Sequence, residues 1–193
     1  MKHEIRGNVC VFCASSANID LRYLDAAREL GALLAQGGWR CVNGGGAVGL
    51  MRAVTDGALD ANGEVTGVIP KFMVDNGWCY DRLEDVIVTA DMHQRKQMMS
   101  DMADAVIALP GGVGTLEELL ETLTWRQLGL VKVPVIILNT LGYYDALLAM
   151  LRHAIDEGFM KPSHGQLWQV AATPQEAIAL LGTNAKVDFE SKY

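Results

Sequence analysis

The chain has 193 residues, half of them hydrophobic and a fifth charged, with a formal net charge of −7. That length and composition fit one globular domain with enough apolar side chain for a real core. The acidic balance excludes a general nucleic-acid footprint, and no apolar stretch approaches the roughly 20 residues of a membrane span.

The opening segment "MKHEIRGNVCVFCASS" carries only a short apolar run, so no signal peptide is expected. Cys10 and Cys13 form a C-x-x-C within a strand-like run, and three residues apart on a strand they face opposite sides. No second pair accompanies them, so neither a metal nor a redox role is expected. A cytoplasmic, reducing location is.

Apolar runs then alternate with helical patterns. Strands are expected at 9–14, 39–43, 64–70, 85–90, 105–110 and 133–139, with a weaker one near 167–171. Helices are expected at 21–36, 50–61, 92–103, 115–128 and 143–158, with a short one from Pro174. Residues 71–82 read as irregular. Residues 1–182 are expected to form one domain, with 183–193 a polar, mobile C-terminal tail. The strand runs are continuously apolar, as in a parallel sheet covered on both faces. The fold class is therefore α/β: a single doubly wound, Rossmann-like domain with a mostly parallel sheet.

In such a sheet ligands bind beyond the carboxyl ends of the strands. Three loops of small residues leave strands there: "ASSAN" (14–18), "NGGGAVG" (43–49) and "PGGVGT" (110–115). Glycine lets backbone N–H groups approach a ligand, and a helix N-terminus favours an anion, most often phosphate. Gly44, Gly46 and Gly49 match the dinucleotide fingerprint, with Glu64 about twenty residues on, but on the second strand-helix unit. The other reading is a tight turn with close packing. Ser15 and Ser16 either cap the first helix or bind a ligand.

Thr115-x-x-Glu118 has capping-box spacing, which would make Glu118 structural. Its placement one turn into a helix with a phosphate-like loop in front counts against that reading and keeps a role in chemistry open. "MHQRK" (92–96) puts His93, Arg95 and Lys96 at a helix start, where positive charge is unfavourable unless an anion compensates it. The alternative there is a solvated basic face. Met92, Met98, Met99 and Met102 read as core or interface.

Together, "MHQRK", "ADAVIALPGGVGTLEELLETLTWRQLGL" (103–130), "NGGGAVGLM", "GVIP" and "LNTLGYYDALL" resemble the Lonely Guy family over roughly residues 9–160. The resemblance implies a homodimeric nucleotide hydrolase with no cofactor and no metal. Its substrate would be a small nucleoside monophosphate, AMP or an N6-substituted AMP of cytokinin type, cleaved to free base and ribose 5-phosphate. It assigns Arg95 and Glu118 as the catalytic pair. Gly111, Gly112, Val113, Gly114 and Thr115 would hold the phosphate, with Ser15, Gly45, Gly46, Met92, Lys96 and Thr124 lining the nucleotide site. Two departures stand out: "CASS" has Ala14 where many members carry glycine, and 71–82 offers Gly77 and Asp75 where many carry glutamate. Glu118 would stabilise an oxocarbenium-like state, either by orienting a water or by attacking the anomeric carbon. The competing reading is a nucleotide- or molybdenum-cofactor-binding protein of the same fold without catalysis. Pyridoxal chemistry would need a Schiff-base lysine, and no lysine has that setting.

Overall fold

Alternation along the first strand decides the architecture. In the computed structural model, which describes residues 5–181, Gly7–Phe12 form β1. Val9 and Val11 face one side, Cys10 and Phe12 the other, and all four are buried. A strand buried on both faces needs a helical layer on each. Cys10 and Cys13 fall in opposite layers, as their spacing implied.

Six more strands join it: β2 (Trp39–Asn43), β3 (Val65–Pro70), β4 (Asp85–Thr89), β5 (Ala105–Ala108), β6 (Val135–Leu138) and β7 (Gln169–Ala171). The order is β4-β3-β2-β1-β5-β6-β7, and every pairing is parallel. Helices α1 (Leu21–Gln36), α2 (Gly49–Asp60) and α7 (Pro174–Leu181) cover one face through Leu30, Leu34, Leu50, Val54 and Ala177. Helices α4 (Met92–Met102), α5 (Val113–Gln127) and α6 (Asp145–Asp156) cover the other, through Met99, Leu119 and Leu123 and the half-buried Leu147 and Leu151. Each fully buried leucine contributes roughly 2–3 kcal/mol of transfer free energy. Helices α1 and α2 approach closely because Gly31 and Gly57 lack side chains; a Cβ at either would lie about 2 Å from a carbonyl oxygen of the other helix.

After β1 the chain winds outward through β2, β3 and β4, then returns to place β5 on the other side of β1. The switch point is thus between β1 and β5, and "PGGVGT" leaves β5 there. The Ala14 N–H donates to Pro110 O at 3.4 Å across the gap.

Some boundaries differ from expectation. The stretch 71–82 contains a short helix, α3 (Lys71–Asp75), and an antiparallel bridge between Gly46 and Cys79. Pro70 ends β3 and directly precedes α3, which uses proline's fixed φ. A 3-10 turn, Thr140–Gly142, precedes α6, which starts at Asp145 rather than 143. Helix α5 begins at Val113, two residues before its expected start. The expected tail at 183–193 lies outside the described residues. Among the described residues no helix is long and apolar enough to cross a membrane.

Candidate active site

Arg95 is placed by a well-capped helix. The Asp91 carboxylate accepts the Gln94 N–H at 2.8 Å, and the Gln94 side-chain oxygen accepts the Ala90 N–H at 2.7 Å. This reciprocal arrangement starts α4 and aims the next residue inward. Arg95 is 4% exposed. Its Nε donates to Val68 O at 3.0 Å, and Nη1 lies 3.7 Å from Met92 Sδ. Gly44 makes room for it: a Cβ there would sit 1.8 Å from Nη2. Among the described residues no carboxylate pairs with this guanidinium. A buried cation without a counter-ion is costly, and such groups cluster at binding sites. His93, its neighbour in the motif, is exposed.

The start of α5 is the opposite case. Its N-cap is Gly112, and no side chain caps the helix. The capping-box reading of Thr115 and Glu118 is therefore wrong. Helical geometry already holds at Val113, so Thr115 is the third helical residue and Glu118 the sixth, too far along to reach the cap. Thr115 instead turns back on Gly111, where a Cβ would lie 2.1 Å from Thr115 Oγ1. Around Gly112 and Gly114 there is open space, and Val113 is 84% exposed. An uncapped, solvent-open helix start offers its N–H groups to an anion.

Glu118 lies one turn further on, half-buried. Its carboxylate takes no hydrogen bond or ion pair among the described residues. Burial pushes its pKa up to about 7; the field of Arg95 opposes the rise, Glu117 adds to it, and Lys96 and Glu121 act in opposite directions. An acid with no structural partner, poised near neutrality and close to a buried arginine, is suited to chemistry.

The remaining sequence candidates divide. Met92 touches Arg95. Gly45 has a φ of +68° and both its polar backbone groups engaged: its N–H donates to Asn43 Oδ1 at 2.9 Å and its carbonyl accepts from Tyr80 at 2.9 Å. Gly46 pairs with Cys79 in the bridge. Ser15 is exposed, and its loop packs on Gly49, whose Cβ would lie 2.7 Å from the Ser15 carbonyl carbon. Lys96 reaches across to α5, donating to Glu117 and, at 3.1 Å, to Glu121. It thereby ties the helix of Arg95 to the helix of Glu118. Thr124 is exposed and its hydroxyl donates to Leu120 O at 2.8 Å.

The fingerprint loop at 43–49 does not present an open helix start. The N–H groups of Leu50 and Met51 both donate to Ala14 O, at 2.9 and 3.3 Å. Glu64 precedes β3, at the amino end of the sheet, and pairs with Arg40. Neither feature suits a dinucleotide.

Sequence reasoning missed the residues that hold the site from behind. The Tyr80 hydroxyl and Arg82 both donate to Asp56 at 2.6 Å, and Ala47 N–H donates to Trp78 O at 3.0 Å, so 78–82 is clamped to α2 and to the glycine loop. Burial opposes ionisation of Asp56, but the bonds from Tyr80 and Arg82 outweigh it and hold the carboxyl below its ordinary value. Trp78 and Phe72 meet edge to face at 6.5 Å, each about half exposed, on the same rim. No periodicity signals such long-range partners; an Asp on the buried face of a helix was the one available hint.

Known proteins resemble this chain in sequence and fold. A family model described as "Possible lysine decarboxylase" matches residues 51–181. A cytokinin riboside 5′-monophosphate phosphoribohydrolase of Arabidopsis thaliana is 43% identical over 173 residues, 90% of this chain and 81% of that protein. A probable enzyme of the same name from Oryza sativa subsp. japonica is 46% identical over 169 residues, 88% of this chain and 80% of its own. Among solved structures, the molybdenum cofactor carrier protein of Chlamydomonas reinhardtii superposes with a TM-score of 0.71 at 26% identity, covering 91% of this chain and 95% of that one.

Proposed function

The chain belongs to the Lonely Guy family, whose model bears the older description of possible lysine decarboxylase, and from that premise we propose that it hydrolyses the N-glycosidic bond of AMP or an N6-substituted AMP. The products are the free base and ribose 5-phosphate. The observation that carries the reading is Glu118: an unbonded, half-buried carboxylate raised to about 7, beside an unpaired buried arginine and one turn beyond an uncapped helix start.

Each part has a distinct task. The 5′-phosphate sits at the start of α5, held by the amides of Gly111 to Gly114, so binding energy remote from the reacting bond positions the sugar. The ribose then lies over Glu118. As the C1′–N bond breaks, its electron pair leaves with the base and positive charge develops on the sugar. The ionised Glu118 stabilises that charge, directly or through the water that becomes the new C1′ hydroxyl. Arg95 holds the nucleotide on the β3 side, towards the rim that carries Phe72 and Trp78. Because the ionised form is the active one, turnover rises with pH as Glu118 deprotonates around pH 7.

A homodimer belongs to the same reading. Its support is exposed apolar surface on α5 and α6, where Leu120, Leu128 and Met150 are all exposed and α6 buries no residue fully. A sedimentation mass equal to one chain at micromolar concentration would remove it. A cytoplasmic location is also proposed, supported by four unpaired cysteines.

The test is direct. Incubation with AMP and with isopentenyl-AMP, followed by chromatography, should release base and ribose 5-phosphate. Tight nucleotide binding with no release would favour the non-catalytic carrier reading suggested by the fold likeness.

A further inference from the structure

Two adjacent tyrosines at the start of α6 hold the loop that leaves β5. The Tyr144 hydroxyl donates to Leu109 O at 2.6 Å, and the Tyr143 hydroxyl donates to Gly111 O at 2.7 Å. Between them, Pro110 O accepts the Ala14 N–H at 3.4 Å. Three consecutive carbonyls of this loop are thus tied to protein donors. In a planar trans peptide the carbonyl and the following N–H point in opposite directions. The bond from Tyr143 therefore sets the direction of the Gly112 N–H, as the bond from Ala14 sets that of Gly111. Neither amide donates to a protein acceptor among the described residues.

The turn that delivers the tyrosines is strained for the purpose. Leu141 adopts a left-handed φ of 56°, which costs a non-glycine residue free energy, and Gly142 follows at φ +74°. Asn139 holds the turn: its side-chain oxygen accepts the Tyr144 N–H at 2.7 Å, while its amide nitrogen donates to Asp145 at 2.7 Å. The Tyr143 ring is fixed edge-on between Tyr144 at 5.0 Å and Tyr23 of α1 at 5.9 Å. Tyr143 is 44% exposed, so these ring contacts and its bond to Gly111 O are what hold the hydroxyl in place.

We propose that Tyr143 is a positioning residue for phosphate recognition: its hydroxyl orients the Gly111–Gly112 peptide so that the Gly112 amide faces the bound anion. This rests on the reading of the β5–α5 loop as the phosphate site. Tyr144, whose hydroxyl is buried, serves as the loop's structural anchor.

Tyr143→Phe removes only the hydroxyl and keeps the ring between its neighbours. The dissociation constants of inorganic phosphate and of ribose 5-phosphate, measured by calorimetry, should rise about tenfold, and the KM for AMP should rise similarly with kcat changed far less. In amide NMR spectra the Gly112 resonance of the wild type should move on phosphate addition, and that movement should shrink in the variant. Unchanged phosphate affinity in a folded variant, or an equal loss in kcat and in phosphate-independent adenine binding, would overturn the proposal. If wild-type protein binds ribose 5-phosphate but cleaves no nucleotide, the hydrolase reading fails while the phosphate measurements still decide the role of Tyr143. If the wild type binds neither anion, the positioning role falls with the loop assignment.

Discussion

The two helices that face the cleft from one layer begin in opposite ways. Helix α4 starts on Asp91 and Gln94, whose side chains accept the Gln94 and Ala90 N–H groups in turn. Helix α5 starts on Gly112, with no side chain over its first N–H groups. A side-chain cap stabilises a helix by about 1 kcal/mol, so leaving α5 uncapped forgoes a readily available gain. The difference follows from what each helix does. Helix α4 presents a side chain, Arg95, and needs a fixed start. Helix α5, on the proposed reading, presents its own backbone to the phosphate, and a cap would occupy the place of that ligand. Helix α2 is a third case, closed by the Ala14 carbonyl, and its glycines serve close approach instead.

The largest expected effect tests the side chain that the open helix carries. Glu118→Gln should lower kcat by at least about a thousandfold. It should also stabilise the protein at neutral pH. The folded-state pKa of about 7 lies above the ordinary value of 4.5, so the folded state holds this proton more tightly and loses stability as pH rises between the two. Denaturant unfolding at pH 7.5 should show Glu118→Gln more stable by up to about 3 kcal/mol, with the gap closing below pH 4.5. A variant that is less stable at pH 7.5 would restore a structural role for this carboxylate.

Next comes the space in which α4 holds its arginine. Gly44→Ala sets a Cβ against Nη2 and forces the guanidinium to move. A loss in kcat of roughly a hundredfold is expected, with circular dichroism confirming a folded chain. Smaller, and most pointed for the comparison, is Gly112→Asp. The backbone φ of −83° accepts any residue and the Cβ meets open space. The aspartate would cap α5 and raise stability by about 1 kcal/mol. It would also place a negative charge where phosphate binds, so KM for AMP should rise at least tenfold or so. A stable variant with normal KM would mean that the open start serves no anion. The smallest effect on turnover belongs to Asp91→Ala, which should cost about 1 kcal/mol in thermal or denaturant unfolding while KM stays within about twofold.

Much of this was legible from residues alone. Runs such as "VCVF" and "VPVIIL" declared a buried parallel sheet, and "PGGVGT" after one of its strands marked the anion loop. The cap was legible too, but at the wrong helix: Asp91-x-x-Gln94 carries the same spacing as Thr115-x-x-Glu118, and only the first forms. Spacing cannot tell them apart: α5 begins two residues earlier, at Val113, which carries Thr115 and Glu118 past the capping positions. Lys96 illustrates what spacing leaves out: it bridges to Glu117 and Glu121, more than twenty residues away, a tie that no local pattern announces.

By itself, then, the sequence determined the layer order and the loops that reach the carboxyl edge, while the pairing of Arg95 with Glu118 came from the resemblance to a family. These follow from local pattern and from motifs whose residues lie close in the chain. Only the tertiary structure decided that Glu118 has no cap to serve, that Gly44 exists to admit Arg95, and that Tyr143 and Tyr144 grip the β5–α5 loop. Each of these depends on atoms brought together from distant segments, where burial and steric exclusion rather than periodicity set the outcome.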